Sequence, residues 1–308
     1  MQYHVLAYYL FTEVPNPPKE VADHRRFLEA LQATARIYIS EEGINGQACL
    51  HADHVEKYIE WMAAHPVFKE AVIKRQFWHE PCFPKLTVKY RKQLVALDEK
   101  VDMSKTATHL SPKEWKEKME LAKKPLLIDV RNDYETFVGH FENAQMPPCN
   151  TFREFKQYTQ DLKEKTDPAT PIMMCCTGGI RCEVYSAYLK EQGFEEVYQL
   201  DGGIINYGNK EGNAHWKGKL FVFDDRLTVP ISEEENEVVG KCHHCNSPIE
   251  SYYNCANMDC NNLFLCCPDC IKEHKGCCQE SCAQAKRVRA YHESNPHKPF
   301  RKGRQMAQ

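Results

Sequence analysis

"CCTGGIRCE" (Cys175–Glu183) is the stretch of this sequence that decides the fold around it. It follows the apolar run "PIMM" and precedes an amphipathic segment that ends before Gly193. A strand, a glycine-rich turn and a helix in this order direct backbone N–H groups and a helix N-terminus at one point, where they stabilise an anion. We expect a cysteine at that point to be ionised and nucleophilic, because such surroundings lower the thiol pKa below its usual value of about 8.5.

The stretch contains three cysteines, and their spacing from Arg181 separates them. Cys176 and Arg181 form a C-x4-R loop, whereas counting from Cys175 gives the C-x5-R spacing of cysteine phosphatases, which usually have Ser or Thr after the arginine. Cys182 follows the arginine here, so we assign the nucleophile to Cys176. Cys175 then lies on the strand facing the core, and Cys182 lies in the first helical turn as a second thiol. The predicted anion-binding loop comprises Thr177, Gly178, Gly179 and Ile180, with Arg181 at its rim. In the alternative interpretation all three cysteines are small buried hydrophobic residues.

The composition indicates a chain of several domains with many thiols. The chain has 308 residues, of which 42% are hydrophobic and 16 are cysteine, and its formal net charge is −3. This length suffices for two or three domains, and any basic surface must be local. The start of the sequence indicates a strand rather than a signal peptide, and no run approaches the roughly 18 apolar residues of a membrane span. We therefore expect a cytoplasmic protein without a membrane partner, whose reduced thiols are ligands or nucleophiles rather than disulfides.

Residues 1–100 alternate strand and helix patterns. We predict a buried strand at "YHVLAYYLF" and a helix opened by Pro17, then two strands, "ARIYIS" and "QACLHA", joined by a tight turn at Asn45-Gly46. A helix with Val55 and Met62 on its apolar face follows, and "LTVKYRKQLVAL" (Leu86–Leu97) is the last predicted strand. The order β-α-β-β-α-β predicts a ferredoxin-like or acylphosphatase-like α+β domain.

The rest of the chain divides into four parts by composition. Residues 108–226 read as an α/β domain with a parallel sheet, because "PLLIDV" and "PIMMCC" are short apolar runs typical of buried strands. Residues 227–240 are predicted to be an acidic linker, residues 241–283 a small cysteine-rich module and residues 284–308 a basic tail. Ten of the 16 cysteines lie between Cys242 and Cys282.

Two further motifs flank the loop, and with it they resemble a rhodanese domain. "LIDVRNDYETFVGHFENAQ" (Leu127–Gln145) precedes the loop and "VYQLDGGI" (Val197–Ile204) follows it. Asn143 departs from the rhodanese pattern, since it stands where that family usually has glycine. Asp129 with Arg131, and Glu135, are interpreted as groups that brace the loop rather than as catalysts.

The resemblance becomes narrower when the whole chain is considered. "YISEEGINGQ", "CTGGIRCE", "GGIINYG", "GNAHWKGKLFVFDDR" and the cysteine-rich tail together resemble the oxygen-dependent tRNA uridine hydroxylases, a family that contains a rhodanese domain. The resemblance implies hydroxylation of the wobble uridine at C5, with molecular oxygen as co-substrate and with tRNA, not DNA, as partner. It implies that Cys176 is the essential residue, and we add Arg181 and Cys182 as catalytic candidates.

Four cysteine clusters in the tail predict two structural zinc sites. C-x2-C knuckles and slightly wider spacings bring thiolates onto zinc in pairs, and two ligands from each cluster give eight. The sequence leaves open whether the clusters pair consecutively or interleave; by analogy with interleaved zinc modules we pair the first with the third and the second with the fourth. His243, His244 and His274 are weaker substitutes, and a disulfide-rich tail is the alternative. The predicted ligands are Cys242, Cys245, Cys267 and Cys270 in one site, and Cys255, Cys260, Cys278 and Cys282 in the other.

The basic tail is a candidate contact for RNA phosphates, with Lys286, Arg287, Arg289, Arg301 and Lys302 as the binding residues. A solvated charged surface is the alternative interpretation. Two other functions remain open from the residues alone. One is a sulfurtransferase that carries a persulfide on Cys176, and the other is a zinc-stapled RNA-binding adaptor with an inactive rhodanese module.

Overall fold

The computed structural model describes residues 2–292 and contains three units that follow one another along the chain. The predicted fold class is confirmed: an α+β domain comes first, an α/β domain with a parallel sheet follows, and a cysteine-rich unit ends the described part. Within residues 2–292, no helix combines the length and the apolar character needed to cross a bilayer.

The first unit is a five-stranded sheet with two helices on one face. The strand order is β4-β1-β3-β2-β5, in which β2 and β5 are parallel and the other neighbours antiparallel. The helices bury the sheet face that carries Leu6, Tyr8 and Ile37. The elements are β1 (Tyr3–Phe11), α1 (Pro17–Ala30), β2 (Thr34–Ser40), β3 (Gly43–His51), α2 (Ala52–Ala63), β4 (Lys74–Trp78) and β5 (Leu86–Tyr90).

The predicted turn at Asn45-Gly46 is wrong. The β2–β3 hairpin turns at residues 41–42, and Asn45-Gly46 lies inside β3, paired with β1. A Cβ atom on Gly46 would lie 2.3 Å from the Tyr8 ring, so this glycine makes room for an aromatic side chain across the sheet. The turn itself is followed by Gly43, whose φ of +141° requires glycine.

The last predicted strand of the first domain also differs from the structure. The strand that completes β-α-β-β-α-β is β4, which we did not predict because its sequence "KRQFW" is largely polar. "LTVKYRKQLVAL" forms an additional strand, β5, that ends at Tyr90. Val95 and Leu97 pack into the core of the second unit instead, so the first domain ends earlier than residue 100.

The second unit is built on a four-stranded parallel sheet of order β6-β10-β9-β7. Its strands are buried on both faces, since Met174 and Met173 point into two different core clusters. The elements are β6 (Thr108–Leu110), α3 (Pro112–Met119), β7 (Leu126–Asp129), α4 (Asp133–Thr136), β8 (Gly139–Phe141), α5 (Phe155–Lys165), β9 (Ile172–Cys175), α6 (Ile180–Glu191), β10 (Val197–Leu200), α7 (Gly203–Glu211), β11 (Trp216–Gly218), β12 (Leu220–Phe221) and β13 (Thr228–Val229).

The segment predicted as an acidic linker, residues 227–240, begins inside the second unit. Thr228–Val229 pairs with β12, and Leu227, Val229 and Ile231 are buried. Alternating apolar residues precede the acidic run, and they dock on the neighbouring core before the charges begin. The third unit then contains β14 (Tyr252–Asn254), β15 (Leu263–Leu265), α8 (Pro268–Glu273) and α9 (Glu280–Ala283), around a core made mostly of cysteine.

Candidate active site and metal centres

The loop between β9 and α6 holds Cys176 at the carboxyl end of the parallel sheet. Cys175 ends β9 and points into one core cluster, while Cys176 points into the other. The N–H of Gly179 donates to Sγ of Cys176 at 3.2 Å. Gly179 has a φ of +109°, which turns the chain back over the sulfur and starts the helix. Cys182 lies in the first turn of α6, as predicted from its spacing.

The surroundings of Cys176 favour the thiolate. Burial opposes ionisation, but a hydrogen bond from the Cys182 thiol, the charge of Arg181 and the backbone N–H groups of Cys182 and Gly179 outweigh it and lower the pKa of Cys176 to about 5. Burial and the neighbouring thiolate raise the pKa of Cys182, so this thiol stays protonated and can donate. The geometry is narrower than expected: among the described residues, the N–H of Gly179 is the backbone group with a hydrogen bond to Sγ, whereas the whole run from Thr177 to Arg181 was expected to contribute.

Arg181 is held beside the loop by Glu135. The guanidinium makes two hydrogen bonds with the carboxylate, of which Nη2–Oε2 is 2.8 Å, and Nη2 also donates to Oγ1 of Thr177 at 3.3 Å. The Glu135 side chain is fully buried. The acid of the first flanking motif therefore fixes the orientation of the arginine, which agrees with its interpretation as a bracing group.

The two flanking motifs support the loop from below. Arg131 and Asp129 form a fully buried ion pair, and the same guanidinium donates to the carbonyl of Gly139 at 2.7 Å. On the other side, the N–H of Ile204 at the start of α7 donates to the carbonyl of Cys176 at 3.0 Å. A Cβ on Gly203 would lie 2.6 Å from that carbonyl oxygen, so the second glycine of the "DGG" motif allows α7 to contact the loop.

The structure brings the eight predicted metal-ligating cysteines together in two groups of four. Within each group all four sulfurs lie within 4.8 Å of one another. The sulfurs of Cys245 and Cys267 are 3.7 Å apart, and so are those of Cys260 and Cys278. Four sulfurs at 2.3 Å from a tetrahedral ion would be about 3.8 Å apart, so both groups could hold a metal. The groups are Cys242, Cys245, Cys267 and Cys270, and Cys255, Cys260, Cys278 and Cys282.

Backbone N–H groups also point at these sulfurs. The N–H of Cys267 donates to Sγ of Cys242 at 3.4 Å, and the N–H of Cys278 donates to Sγ of Cys255 at 3.5 Å. Hydrogen bonds of this kind stabilise thiolate ligands. Cys266 and Cys277 are buried in the same core but belong to neither group of four.

Comparison with known proteins yields matches along most of the chain. Three family models match: the UPF0176 acylphosphatase like domain over residues 3–94, the Rhodanese-like domain over residues 111–210, and a model described as Rhodanase C-terminal over residues 217–283. A tRNA uridine(34) hydroxylase of Protochlamydia amoebophila (strain UWE25) is 58% identical over 299 residues, which cover 97% of this chain and 93% of the relative. A tRNA uridine(34) hydroxylase of Chlamydia pneumoniae is 53% identical over 304 residues, with 98% and 94% covered. The chain belongs to the tRNA uridine(34) hydroxylase family.

Membership of the tRNA uridine(34) hydroxylase family confirms the resemblance that the sequence motifs indicated. The Rhodanese-like match includes the Cys176 loop and both flanking motifs. The Rhodanase C-terminal match begins at β11 and includes both groups of four cysteines. The same match spans residues 227–231 without a break.

Of the basic residues predicted to bind RNA, one is exposed, two make contacts within the third unit, and two lie outside the described residues. Lys286 is exposed. Arg287 pairs with Asp259 at 2.7 Å, and Arg289 donates to the carbonyl of Cys255 at 3.0 Å, so both guanidinium groups also brace the second cysteine group. Arg301 and Lys302 lie outside the described residues.

Sequence reasoning missed three residues at the loop. They are Lys74 and Tyr9 from the first unit, and Glu183. Lys74 contacts Gly178, and Tyr9 contacts Glu183. Glu183 was quoted within the motif but given no role. Tyr9 and Lys74 precede the loop by about 100 residues or more and carry no local motif, so the sequence offered no signal for either.

A buried group of Glu20, His24 and His65 in the first unit also has metal-ligating residue types. Nδ1 of His65 accepts from the N–H groups of Val67 and Phe68, both at 3.2 Å, which places the ring proton on Nε2. That nitrogen lies 3.0 Å from the Glu20 carboxylate. A protonated Nε2 has no lone pair for a metal, so this group is a polar cluster of the core.

Proposed function

We propose that this protein hydroxylates C5 of the wobble uridine, uridine 34, of tRNA to give 5-hydroxyuridine, with molecular oxygen as co-substrate. The observation that carries the proposal is the match to proteins named tRNA uridine(34) hydroxylase at 52–58% identity over 97–98% of the chain. The reaction consumes one dioxygen, two electrons from an external reductant and two protons, and it releases 5-hydroxyuridine and water.

Cys176 is proposed to be the nucleophile. Its thiolate adds to C6 of the uracil ring, which forms an S–C6 bond and moves the C5=C6 electron pair into an enolate over C5, C4 and O4. C5 is then electron-rich and forms a bond to dioxygen; two electrons from the external reductant and three protons cleave the O–O bond, which leaves a hydroxyl on C5 and releases water. Loss of the C5 proton and cleavage of the S–C6 bond restore the C5=C6 double bond and the thiolate. A pKa of about 5 supports this role, because the nucleophile is ionised at neutral pH.

Arg181 and Cys182 are proposed to assist this step. The guanidinium of Arg181 and the N–H of Gly179 stabilise negative charge beside the sulfur. In the substrate-free enzyme, the Cys182 thiol donates a hydrogen bond to the Cys176 thiolate. Since Cys182 also sits where it could resolve a persulfide on Cys176, the same geometry supports a sulfurtransferase as second candidate.

The test is incubation of the protein with unmodified tRNA under air and under nitrogen, followed by nucleoside analysis by mass spectrometry. We expect 5-hydroxyuridine under air only. Cys176→Ser should abolish the product while retaining tRNA binding and the thermal midpoint of unfolding, because serine is similar in size but is not ionised at neutral pH. Full activity of Cys176→Ser would exclude the nucleophile, and an extra sulfur on Cys176 with no hydroxylated product would favour the sulfurtransferase.

Three further assignments belong to this proposal. Each group of four cysteines is proposed to hold one zinc ion, because four thiolates with tetrahedral sulfur spacing suit zinc and the ion would supply folding free energy to a unit with few apolar residues. Lys286, with the tail that follows, is proposed to contact tRNA phosphates. We place the protein in the cytoplasm, where its substrate would be found.

A further inference from the structure

The first unit presents a sheet face that its own helices do not cover. Side chains alternate along β1, so Leu6 and Tyr8 face the helices while Tyr9 points to the other side. Lys74 of β4 is paired with Ala7 of β1 and therefore lies on the same face as Tyr9. A sheet with helices on one side leaves the other for solvent or for another domain.

This open face contacts the Cys176 loop. Nζ of Lys74 donates to the carbonyl of Gly178, and the same nitrogen lies 5.4 Å from the centre of the Tyr9 ring. The Tyr9 hydroxyl donates to Oε1 of Glu183 at 2.9 Å. A Cβ on Gly179 would lie 2.7 Å from that hydroxyl oxygen, so the tyrosine rests directly on the loop.

The Glu183 carboxylate, which accepts the hydrogen bond from Tyr9, is held in place by residues of the second unit. Its carboxylate also lies 2.9 Å from Nε2 of His109 and accepts from the side-chain amide of Gln199 at 2.9 Å. The Glu183 hydrogen bond and charge raise the pKa of His109 above its ordinary value. Three elements of the second unit, α6, β6 and β10, thus hold one carboxylate in place for a residue of the first unit.

The contact continues beyond the loop along the same sheet face. Arg36 of β2 donates to the carbonyl of Phe223 at 2.9 Å, and Arg226 donates to the side-chain oxygen of Gln76 at 2.8 Å. Gln76 pairs with Val5 of β1, two residues from Ala7, so it shares the face with Tyr9. The sheet is therefore docked at several points spread over its width.

The sulfur of Cys176 is shielded from solvent in the arrangement in which Tyr9 and Lys74 contact its loop. Cys176 is 1% exposed, so a uracil ring has no path to Sγ in this state. We propose that the open face of the first unit is a cover for the active site, that Lys74 and Tyr9 are positioning residues which hold it on the loop, and that uracil reaches Cys176 only after their contacts are released. The identity of the entering base rests on the proposed function, whereas the cover does not.

The cover adds charge as well as bulk. The charges of Lys74 and Cys176 interact, and burial of the lysine lowers its pKa, partly offset by that thiolate and by nearby carboxylates. Closure thus adds an amine from the first unit to the surroundings of a sulfur that already faces Arg181. Among the described residues, the titratable groups whose charges interact with Cys176 include Tyr9 from β1, Lys74 from β4, Cys175 from β9, and Arg181 and Cys182 from α6.

The experiment measures the rate at which iodoacetamide alkylates Cys176 as a function of pH, in the full-length protein with its metal and without tRNA. Peptide mass spectrometry separates Cys176 from the other thiols. The limiting rate at high pH reports access to the sulfur, and the midpoint reports the thiolate pKa. We expect Lys74→Ala to raise the limiting rate about ten-fold, because a hydrogen bond from a charged group is lost. Its midpoint should move up by about one pH unit, because a nearby cation is removed.

Three further variants separate the roles. Lys74→Arg should stay close to the wild-type midpoint, since it keeps the charge. Tyr9→Phe should raise the limiting rate without moving the midpoint, since it loses only the hydrogen bond to Glu183. Lys57→Ala is the matched control: this exposed lysine lies on α2, on the far side of the sheet, and the variant should match the wild type.

An unchanged limiting rate and midpoint in Lys74→Ala would overturn the cover, and so would an equal increase in Lys57→Ala. The alkylation needs neither tRNA nor oxygen. If the wild-type protein does not hydroxylate tRNA but the variants show the expected alkylation rates, the proposed function is contradicted and the proposed cover is supported.

Discussion

The ionised state of Cys176 results from competition between burial and a small number of donors. Burial disfavours the charged thiolate and so raises the pKa of the Cys176 thiol. Here the Cys182 thiol, the Arg181 charge and two backbone N–H groups lower that pKa by more than burial raises it. A compact donor set of this kind is sensitive to single substitutions, because each donor carries a large share of the compensation. Cys182 contributes both a thiol and a backbone N–H.

The role of the Cys182 thiol can be tested by pairing two substitutions. Cys182→Ala removes the donor and should raise the pKa of Cys176 by about one unit. Cys182→Ser keeps an O–H donor at the same place and should leave the pKa near that of the wild type. Since the thiolate is the reactive form, the rate of Cys176 alkylation falls as the pH drops through its pKa, and the midpoint of that fall is the measurement. Equal midpoints in the alanine and serine variants would show that the thiol does not act as a donor.

At the scale of elements, the two glycines of the loop have different tasks. Gly179 combines a φ of +109° with close contact to Tyr9, and both features exclude a side chain. Gly178 has no heavy atom within 4 Å of where a Cβ would lie. A side chain is therefore excluded at Gly179 but has room at Gly178, although the sequence shows only two consecutive glycines.

Gly179→Ala should destabilise the protein by about 1–2 kcal/mol, because alanine is strained at this φ. It should also lower the hydroxylation rate, since the donor N–H to Cys176 and the contact with Tyr9 both move. Gly178→Ala is the control and should remain within about 0.5 kcal/mol of the wild type. Thermal unfolding and nucleoside analysis of both variants provide the measurement. Equal losses in the two variants would contradict the difference in constraint.

Elements also show where local patterns mislead. Asn45-Gly46 is a strong turn signal, but Gly46 lies in a strand because Tyr8 occupies the space that a side chain would need. Asn143, in contrast, stands where the rhodanese pattern usually has glycine, and its φ of +61° lies in the left-handed region that asparagine tolerates. The sequence shows the residue type in both cases. Only the structure shows that contact with a side chain explains Gly46, whereas the backbone conformation explains Asn143.

At the scale of the whole molecule, the third unit depends on its cysteines. Its core cluster is formed largely by cysteine with a few aromatic and aliphatic residues, which is little apolar surface to bury. Two groups of four thiols that lie within 4.8 Å of one another offer metal binding as the compensating term.

The purified protein should contain two zinc ions per chain, one for each group of four cysteines. Cys267→Ser should lower the content to one and make the third unit sensitive to proteases, because a four-thiolate site loses a ligand. Cys266→Ser, next to it in sequence and outside both groups, should retain two. Metal analysis by mass spectrometry and limited proteolysis give the result. Loss of zinc in both variants, or in neither, would refute the assignment of ligands.

The sequence alone was sufficient for the features that depend on neighbouring residues. The strand, turn and helix around Cys176 are contiguous, so their order already predicts an anion-binding loop, and closely spaced cysteines already predict metal knuckles. Tertiary structure decided everything that joins distant segments: the position of the β2–β3 turn, the docking of residues 227–231, and above all the contact of Tyr9 and Lys74 with the loop. These contacts depend on which face of a sheet is left open and what packs against it, and that is a property of the assembled chain rather than of any local stretch.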